Sequence, residues 1–412
     1  MVSQTQGRKN GIFDQLLLVG ILATTFFLPT LFGSISIAFA LLFALFAGTV
    51  GSFRSARNAE FVWQPTLVAL LGSFLILLSI FAFNARSAAD LGHLVSFLGL
   101  ALPLLLYQFL ITLKKPVTFA RIARYCVLGC LLGVVFALAQ KFGLNMDRTV
   151  AVAAGANAVA RVAIIFGFLA IACVQWRLPS RANMGVIALG AAILIVLLSG
   201  SRGALLTVPI ATLIAIAFVT PVVWEKSKPL FAGIIALLVA ACAALIMLDP
   251  SGMVSRTGYT LSEMFSGRLP GLSSELRFEL LVGAWKAFLQ APVTGYGWAG
   301  HWDALMSVTN DPEYFAPVRQ YFTFHNDIAD FAVAGGVFGL FAYAIIILAP
   351  IVNLLLDPDL RANRRAAYAL VLLPVCYFFF GLTDFVFGFD LLTTLYGFSL
   401  AFILAAAKGG RV

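Results

Sequence analysis

Apolar runs as long as a membrane is thick recur along this sequence from its first residues to its last. A helix needs roughly 20 apolar residues to cross the hydrocarbon core of a bilayer. Of the 412 residues, 61% are hydrophobic and 11% are charged, which leaves too little polar surface for a water-soluble domain. The runs do not alternate as barrel strands do. We therefore predict an all-α polytopic membrane protein with about twelve transmembrane helices, at 12–30, 33–50, 65–83, 91–112, 124–142, 157–175, 185–199, 203–220, 230–248, 328–352, 368–383 and 388–407.

The basic residues between these runs predict an orientation. Cytoplasmic loops of membrane proteins are enriched in Lys and Arg. If Arg8 and Lys9 are cytoplasmic, alternation of the twelve spans also places most of the 27 basic residues on that side, and most carboxylates on the other. The pattern predicts cytoplasmic N- and C-termini. The same bias explains the net charge of +9 and favours anionic membrane lipid as a partner.

Residues 249–327, between the ninth and tenth runs, are the one long polar segment. By the predicted orientation this segment faces the periplasm. A connection of this length is expected to carry some structure of its own, so we predict short helices within it. We expect the chain, residues 1–412, to form a single transmembrane domain that includes this loop.

Within the loop, residues 274–290 have the periodicity of an amphipathic helix. Arg277 is predicted to stand in the middle of the apolar face, among leucines and aromatic residues. An arginine that is buried there needs an anion or a carboxylate beside it. Arg277 is therefore a candidate for binding an anionic substrate, and a structural ion pair is the alternative.

His325 begins the apolar run that follows the loop, and Asn326 comes directly after it. Imidazole is the side chain best suited to proton transfer near neutral pH. Small residues at Ala329, Ala332 and Gly336 follow it on one helix face, which favours close approach of another helix. We predict that His325 is catalytic, although a capping or packing role is the alternative.

Three further groups lie near the predicted outer boundary. Arg202 is flanked by glycines in the short turn between the seventh and eighth runs, and Arg161 lies about one turn inside the sixth run. An arginine inside a span is a functional candidate that requires an anionic partner. Asp384 and Asp390 lie between the last two runs, and each is a candidate partner for a histidine or an arginine.

Other classes of site are not indicated. The three histidines have no cysteine or acidic cluster at metal-ligand spacing, so we expect neither a metal nor a cofactor. No nucleic-acid recognition motif is present. No obligate protein partner is evident.

Taken together, the polar motifs of residues 199–340 are similar to those of a known family. They are Ser-Gly-Ser-Arg-Gly around Arg202, a long loop with Leu-Arg-Phe around Arg277 and a later Gly-Tyr-Gly, and His325-Asn326 followed by Gly336 and Gly339. This pattern resembles the O-antigen ligase family, within a superfamily that also contains O-antigen polymerases and membrane O-oligosaccharyltransferases. The first 150 residues resemble the family in hydropathy alone.

The resemblance implies a metal-independent glycosyltransferase of the bacterial cell inner membrane with its active site facing the periplasm. Such enzymes transfer a glycan from undecaprenyl diphosphate, and for a ligase the acceptor is a hydroxyl of lipid A-core in lipopolysaccharide biosynthesis. By the resemblance Arg202, Arg277 and His325 are catalytic residues, and the family's acidic catalytic residue is Asp384 or Asp390, of which we favour Asp384. Arg161, Arg202, Arg277 and Asn326 are expected to bind substrate.

Two alternatives stay open. An O-antigen polymerase would share the donor, the topology and the catalytic groups. A lipid-linked glycan flippase or transporter would carry its charges at mid-membrane between two similar halves, whereas the charges here concentrate outside the spans. A protein O-oligosaccharyltransferase is a further, less favoured member of the same superfamily.

Overall fold

The computed structural model describes residues 2–57, 61–85, 90, 92–173, 179–226, 271–309, 315 and 323–409. The described residues are almost entirely helical and form no strand longer than an isolated bridge. In chain order the helices are α1 Val2–Phe26, α2 Pro29–Phe32, α3 Ser34–Arg57, α4 Pro65–Asn84, α5 Gly92–Val95, α6 Leu98–Ala101, α7 Pro103–Ile111, α8 Phe119–Leu138, α9 Ala156–Cys173, α10 Pro179–Ser199, α11 Arg202–Lys226, α12 Gly271–Gln290, α13 His301–Val308, α14 Asp327–Leu356, α15 Pro358–Ala362, α16 Arg364–Gly381 and α17 Asp390–Gly409.

The predicted apolar runs coincide with helices wherever the structure describes them. Six described helices are long and apolar enough to cross a membrane, and five of the predicted runs fall on shorter apolar helices. The run at 230–248 lies outside the described residues, as do residues 249–270 of the predicted loop. The all-helical membrane class is thus confirmed, while the count of twelve spans, the orientation and the periplasmic position of the loop stay predictions.

The run at 91–112 was expected to be one helix, and that expectation is wrong. It is divided into α5, α6 and α7, with Pro103 at the start of α7. Proline lacks the amide hydrogen that a continuous helix would need at this point. The broken segment packs against α17, where a Cβ added to Gly397 would clash with the carbonyl oxygen of Gly99.

Helix α17 lies at the centre of the bundle. Every residue from 391 to 407 is buried, and the helix packs against neighbours from both halves of the chain, including α3, α7 and α16. A helix that is apolar on all sides is expected in such a central position. The Thr393 hydroxyl of α17 accepts a hydrogen bond from the Gly388 amide at 2.9 Å, which joins the turn after α16 to this helix.

Helix α14 is interrupted at Gly336, which has φ 58° and ψ −141°. At the break the amide of Val337, the ordinary helical donor to Val333, donates to the Pro292 carbonyl instead, at 2.8 Å. The carbonyl groups of Val333 and Ala334 accept hydrogen bonds from the amides of Tyr296 and Gly297, at 2.9 and 2.8 Å. These hydrogen bonds satisfy buried backbone groups, which would destabilise the fold if they were left unpaired. They also join the segment after α12 to α14.

Helix α12 confirms the amphipathic helix predicted at 274–290, although it begins earlier, at Gly271. Its C-terminal end lies at the Gly336 break, because Pro292 contacts that glycine. Its Leu276 and Leu280 belong to a buried cluster that also contains Phe324. Helix α12 therefore runs back along the first half of α14, towards His325.

Candidate functional site

The candidate site is assembled where helix ends from distant parts of the sequence meet. Residues near the start of α9 and just before α14 approach the turn that joins α16 to α17. The start of α11 lies against the same turn, because a Cβ added to Gly203 would be 2.5 Å from the Thr383 hydroxyl. Polar side chains from α9 and from the segment before α14 contact one carboxylate of this turn.

That carboxylate belongs to Asp384, and both of its oxygens are fully engaged. Oδ1 accepts hydrogen bonds from His325 Nδ1 at 2.8 Å and from the Phe385 amide at 3.0 Å. Oδ2 is 2.9 Å from the Arg161 guanidinium and accepts a hydrogen bond from the Asn157 side chain at 3.1 Å. Such a set of donors favours an ionised carboxylate.

The ionisation of Asp384 follows from two opposing effects. Burial of the side chain disfavours its charge, whereas the Arg161 cation and the hydrogen bond from His325 favour it. The favourable contacts win and hold the pKa of Asp384 well below its ordinary value. The carboxylate therefore stays charged throughout the neutral range.

His325 occupies an unusual backbone conformation at the entrance to α14. Its φ is 54°, in the left-handed region that costs a non-glycine residue about 1–2 kcal/mol. Its amide donates to the Thr323 hydroxyl at 3.2 Å. Since the Asp384 carboxylate can only accept, Nδ1 carries the proton in the neutral ring, and Nε2 is left as the acceptor. The ring is thus oriented for use as a base.

The structure distinguishes the two aspartates that the sequence left open. Asp384 contacts His325 directly. The carboxylate of Asp390 instead accepts hydrogen bonds from the Ser34 hydroxyl and from the Leu391 amide, each at 2.8 Å. Asp390 is thereby engaged in fixing the start of α17.

Asn326 was expected to bind substrate, but both ends of its side chain hold the fold. Its Oδ1 accepts from the Ala329 amide at 3.0 Å as the N-cap of α14, and its Nδ2 donates to the Leu382 carbonyl at 3.2 Å. An N-cap of this kind satisfies one of the free amides in the first helical turn. Asn326 therefore joins α14 to the turn that carries Asp384.

Asp384 is the anionic partner that we expected for Arg161, an arginine inside a predicted span. Arg161 is 2% exposed, and its guanidinium lies 5.8 Å from the centroid of the Phe380 ring. Its charge is thus satisfied within the chain. In this geometry it contacts Asp384 and presents little surface to a substrate.

Two residues of the cluster were missed by the sequence analysis. Asn157 lies four residues before Arg161, so both project from one face of α9 and reach the same carboxylate oxygen. Arg148 holds Asn157, with 2.9 Å between its NH2 and the amide oxygen, and also donates to the Ser199 carbonyl at 2.7 Å. The shared face with Arg161 was a signal for Asn157. Arg148, in an irregular segment, gave none.

Arg202 is the first residue of α11 and is partly exposed. Gly200, two residues earlier, has φ 65° and makes the sharp turn out of α10. The N-terminus of a helix attracts anions through its free amides and its dipole. Arg202 therefore adds a cation to a site that is already favourable to negative charge, beside Thr383.

Arg277 does not lie in the middle of the buried face of α12, and that prediction is wrong. The buried face is formed by Leu276, Leu280, Ala284 and Ala287, whereas Arg277 is exposed at its edge. The reason is that α12 packs on α14 and α13 through its smaller residues and leaves Trp285 and its neighbours outside. No hydrogen bond or ion pair joins Arg277 to Asp384 or His325 among the described residues.

Comparison with known families gives a result for part of the chain. Residues 186–344 match the family described as O-Antigen ligase (Wzy_C). This match supports membership of the chain in the O-antigen ligase family. The resemblance inferred from its motifs is thereby confirmed. No curated protein matches the chain.

Members of the O-antigen ligase family are membrane glycosyltransferase-like enzymes, ligases or polymerases, that act on lipid-linked polysaccharides. The matched segment includes Arg202, Arg277 and His325. Asp384 and Arg161 lie outside it, and the fold brings them to His325 from either side in sequence. The apolar helices and the family together indicate a multi-pass membrane protein.

Proposed function

We propose that this protein is an O-antigen ligase that transfers a glycan from undecaprenyl diphosphate to a hydroxyl of lipid A-core, with the site facing the periplasm of a bacterial inner membrane. The single observation that carries the proposal is the contact between His325 and an ionised Asp384 inside an O-antigen ligase family fold. A charged carboxylate on Nδ1 makes Nε2 the proton acceptor that hydroxyl attack requires.

The acceptor hydroxyl would lose its proton to Nε2 of His325 as its oxygen attacks the anomeric carbon. The bond between that carbon and the phosphate oxygen breaks, and undecaprenyl diphosphate leaves with the electron pair. A single displacement of this kind inverts the anomeric centre. Asp384 stabilises the imidazolium that forms, as a carboxylate does behind a histidine base in other enzymes.

Arg202 and Arg277 would bind the diphosphate. Guanidinium groups bind phosphate oxygens through two parallel hydrogen bonds, and charge that gathers on the leaving group is stabilised by such donors. Helix α11 adds its N-terminus. Along α12, Arg277 lies 13 residues before Gln290, a rise of about 20 Å. Along α14, Asp327 lies nine residues before Gly336, a rise of about 14 Å, and His325 lies two residues further, outside the helix. Helix α12 is therefore long enough to bring Arg277 to the level of His325.

Arg161 and Asn157 would act through Asp384 rather than on the substrate. Each holds Oδ2, which leaves Oδ1 aimed at the imidazole. We assign Arg161 to positioning in place of the substrate contact expected from the sequence, because its guanidinium is buried.

The proposal is tested by transfer of carrier-linked glycan to lipid A-core by the purified protein in detergent. His325→Ala should abolish transfer while the protein still inserts and keeps its melting temperature. His93→Ala is the matched control, since His93 is exposed on α5. Near-normal transfer by His325→Ala would end the assignment of the base.

The polymerase alternative is separated by the product. A deletion strain that loses all attached O-antigen while long carrier-linked polymer accumulates indicates a ligase. A strain whose lipopolysaccharide carries one repeat unit indicates a polymerase. Metal independence is tested in the same assay: we expect a chelator to leave transfer intact, and a loss that a divalent metal restores would contradict it.

A further inference from the structure

A second pair of a histidine and an aspartate lies directly behind His325. Asp330 is one turn into α14 and fully buried, and His301, the first residue of α13, is 3% exposed. His301 Nδ1 lies 3.5 Å from Asp330 Oδ1, and His301 Nε2 lies 3.1 Å from the Asp330 carbonyl oxygen. Both ring nitrogens therefore face the same residue.

Both members of this pair contact Phe324, the residue that precedes His325. Asp330 Oδ1 accepts a hydrogen bond from the Phe324 amide at 2.9 Å. The His301 ring meets the Phe324 ring edge to face, with centroids 5.3 Å apart. The amide of Asp330 also donates to the Asn326 carbonyl at 2.9 Å. The residues on both sides of His325 are thus hydrogen-bonded to Asp330.

The chemistry of Asp330 is unusual for a group that would serve packing alone. Its second oxygen, Oδ2, is buried and has no hydrogen-bond partner among the described residues. An incompletely satisfied carboxyl in a buried place is unfavourable for stability, and an apolar side chain would fill the same volume at less cost. The presence of an aspartate at position 330 is better explained by its hydrogen bond to the Phe324 amide.

We propose that Asp330 and His301 are positioning residues that fix His325 in its left-handed conformation, so that its ring meets Asp384. The backbone of His325 has φ 54°, which relaxes to negative φ unless its surroundings determine it. If the Phe324 amide lost its hydrogen bond to Asp330, the imidazole would move away from Asp384. Nε2 would then no longer be oriented towards the acceptor hydroxyl. This inference rests on the proposed role of His325 as the base.

The test compares Asp330→Ala and Asp330→Asn in the transfer assay with the intact protein. The alanine removes the acceptor of the Phe324 amide, whereas the asparagine keeps an oxygen at that place. We expect Asp330→Ala to lower kcat at least tenfold and to change KM for the carrier-linked donor less than twofold. Asp330→Asn should restore most of kcat. Asp303→Asn, an exposed acid on α13, is the matched control and should behave as the native protein.

Several results would overturn the inference. A folded Asp330→Ala with native kcat, a rise in KM without a fall in kcat, or an asparagine as impaired as the alanine would each do so. If the alanine variant does not fold, the asparagine variant decides, because a tenfold loss in that folded protein contradicts a requirement for the acceptor alone.

His325→Ala is measured in the same series, so that the two proposals fail separately. Native transfer by His325→Ala ends the base assignment whatever Asp330 does. Loss in His325→Ala with native kcat in Asp330→Ala ends the positioning role and leaves the base assignment in place.

Discussion

Replacement of Asp384 by asparagine should affect stability and activity through different partners. Arg161 is 2% exposed, and Asp384 is its anionic partner in an ion pair of 2.9 Å. Removal of one member of a buried ion pair leaves an uncompensated charge and costs about 3–5 kcal/mol. Because the side chain of Asp384 is 14% exposed and Asn157 remains, we expect Asp384→Asn to lower the free energy of unfolding by about 3 kcal/mol, at the lower end of that range.

The companion variants separate the two effects. Arg161→Met with Asp384→Asn removes both charges and fills the arginine's volume, so stability should return to within about 1 kcal/mol of the native protein, as when buried ion pairs are replaced by apolar groups. Transfer should stay low, by about 10²–10⁴-fold, which is the usual contribution of a general base, because His325 still lacks its carboxylate.

Detergent denaturation monitored by tryptophan fluorescence would give the free energies, and the transfer assay the rates. Ser34→Ala, which removes a hydroxyl that donates to Asp390, serves as a control on the neighbouring aspartate and should keep transfer. Two results refute the reasoning: a loss of stability below about 1 kcal/mol in Asp384→Asn, the range of ordinary exposed pairs, or recovery of transfer in the double variant.

Three other outcomes are expected. Arg277→Lys should lower kcat/KM about tenfold, because loss of one charge-assisted hydrogen bond costs about 1.5 kcal/mol. The melting temperature should not change, because Arg277 is exposed. A native kcat/KM would exclude Arg277 from the donor site. Gly336→Ala should lower the melting temperature, because φ is 58° and the added Cβ would lie 2.6 Å from the Val293 carbonyl oxygen. Gly72→Ala should leave the melting temperature unchanged, because its added Cβ meets nothing within 4 Å. Equal melting temperatures for the two variants would contradict backbone strain at Gly336. Because the pKa of Asp384 is lowered in the folded protein, its charge contributes fully to stability above about pH 4, the ordinary Asp value, and this contribution is lost as the pH falls further. The difference in melting temperature between the native protein and Asp384→Asn should therefore be constant from pH 5 to 8. A difference that varied over this range would contradict the argument.

The fold class could be predicted from the sequence because apolar runs and their lengths follow directly from the membrane. The division of the run at 91–112 could not, although Pro103 marked one of its breaks. Gly336 was recognised as a small residue on a helix face, but the interruption of α14 depends on donors from residues 296 and 297. A local pattern does not contain such partners.

The site shows the same limit. His325, Asp384 and Arg202 could be selected as candidates because polar groups at a membrane boundary are conspicuous. The pairing of Arg161 with Asp384 joins residues more than two hundred positions apart, and helical periodicity carries no information at that distance. The burial of Arg277 was misjudged because the wheel of α12 has a wide apolar arc, and only the packing against α13 and α14 decides which part of it is covered.

The break at Gly336 has a consequence for exchanging segments between family members. Residues 292–297 and 333–337 complete one another's backbone hydrogen bonds, so neither stretch retains its partners if the other comes from a protein with different geometry there. A chimera that takes its loop from one parent and its tenth apolar run from another should misassemble at this junction. A donor fragment that extends from α12 through Gly339 carries both halves of the junction and also includes His325.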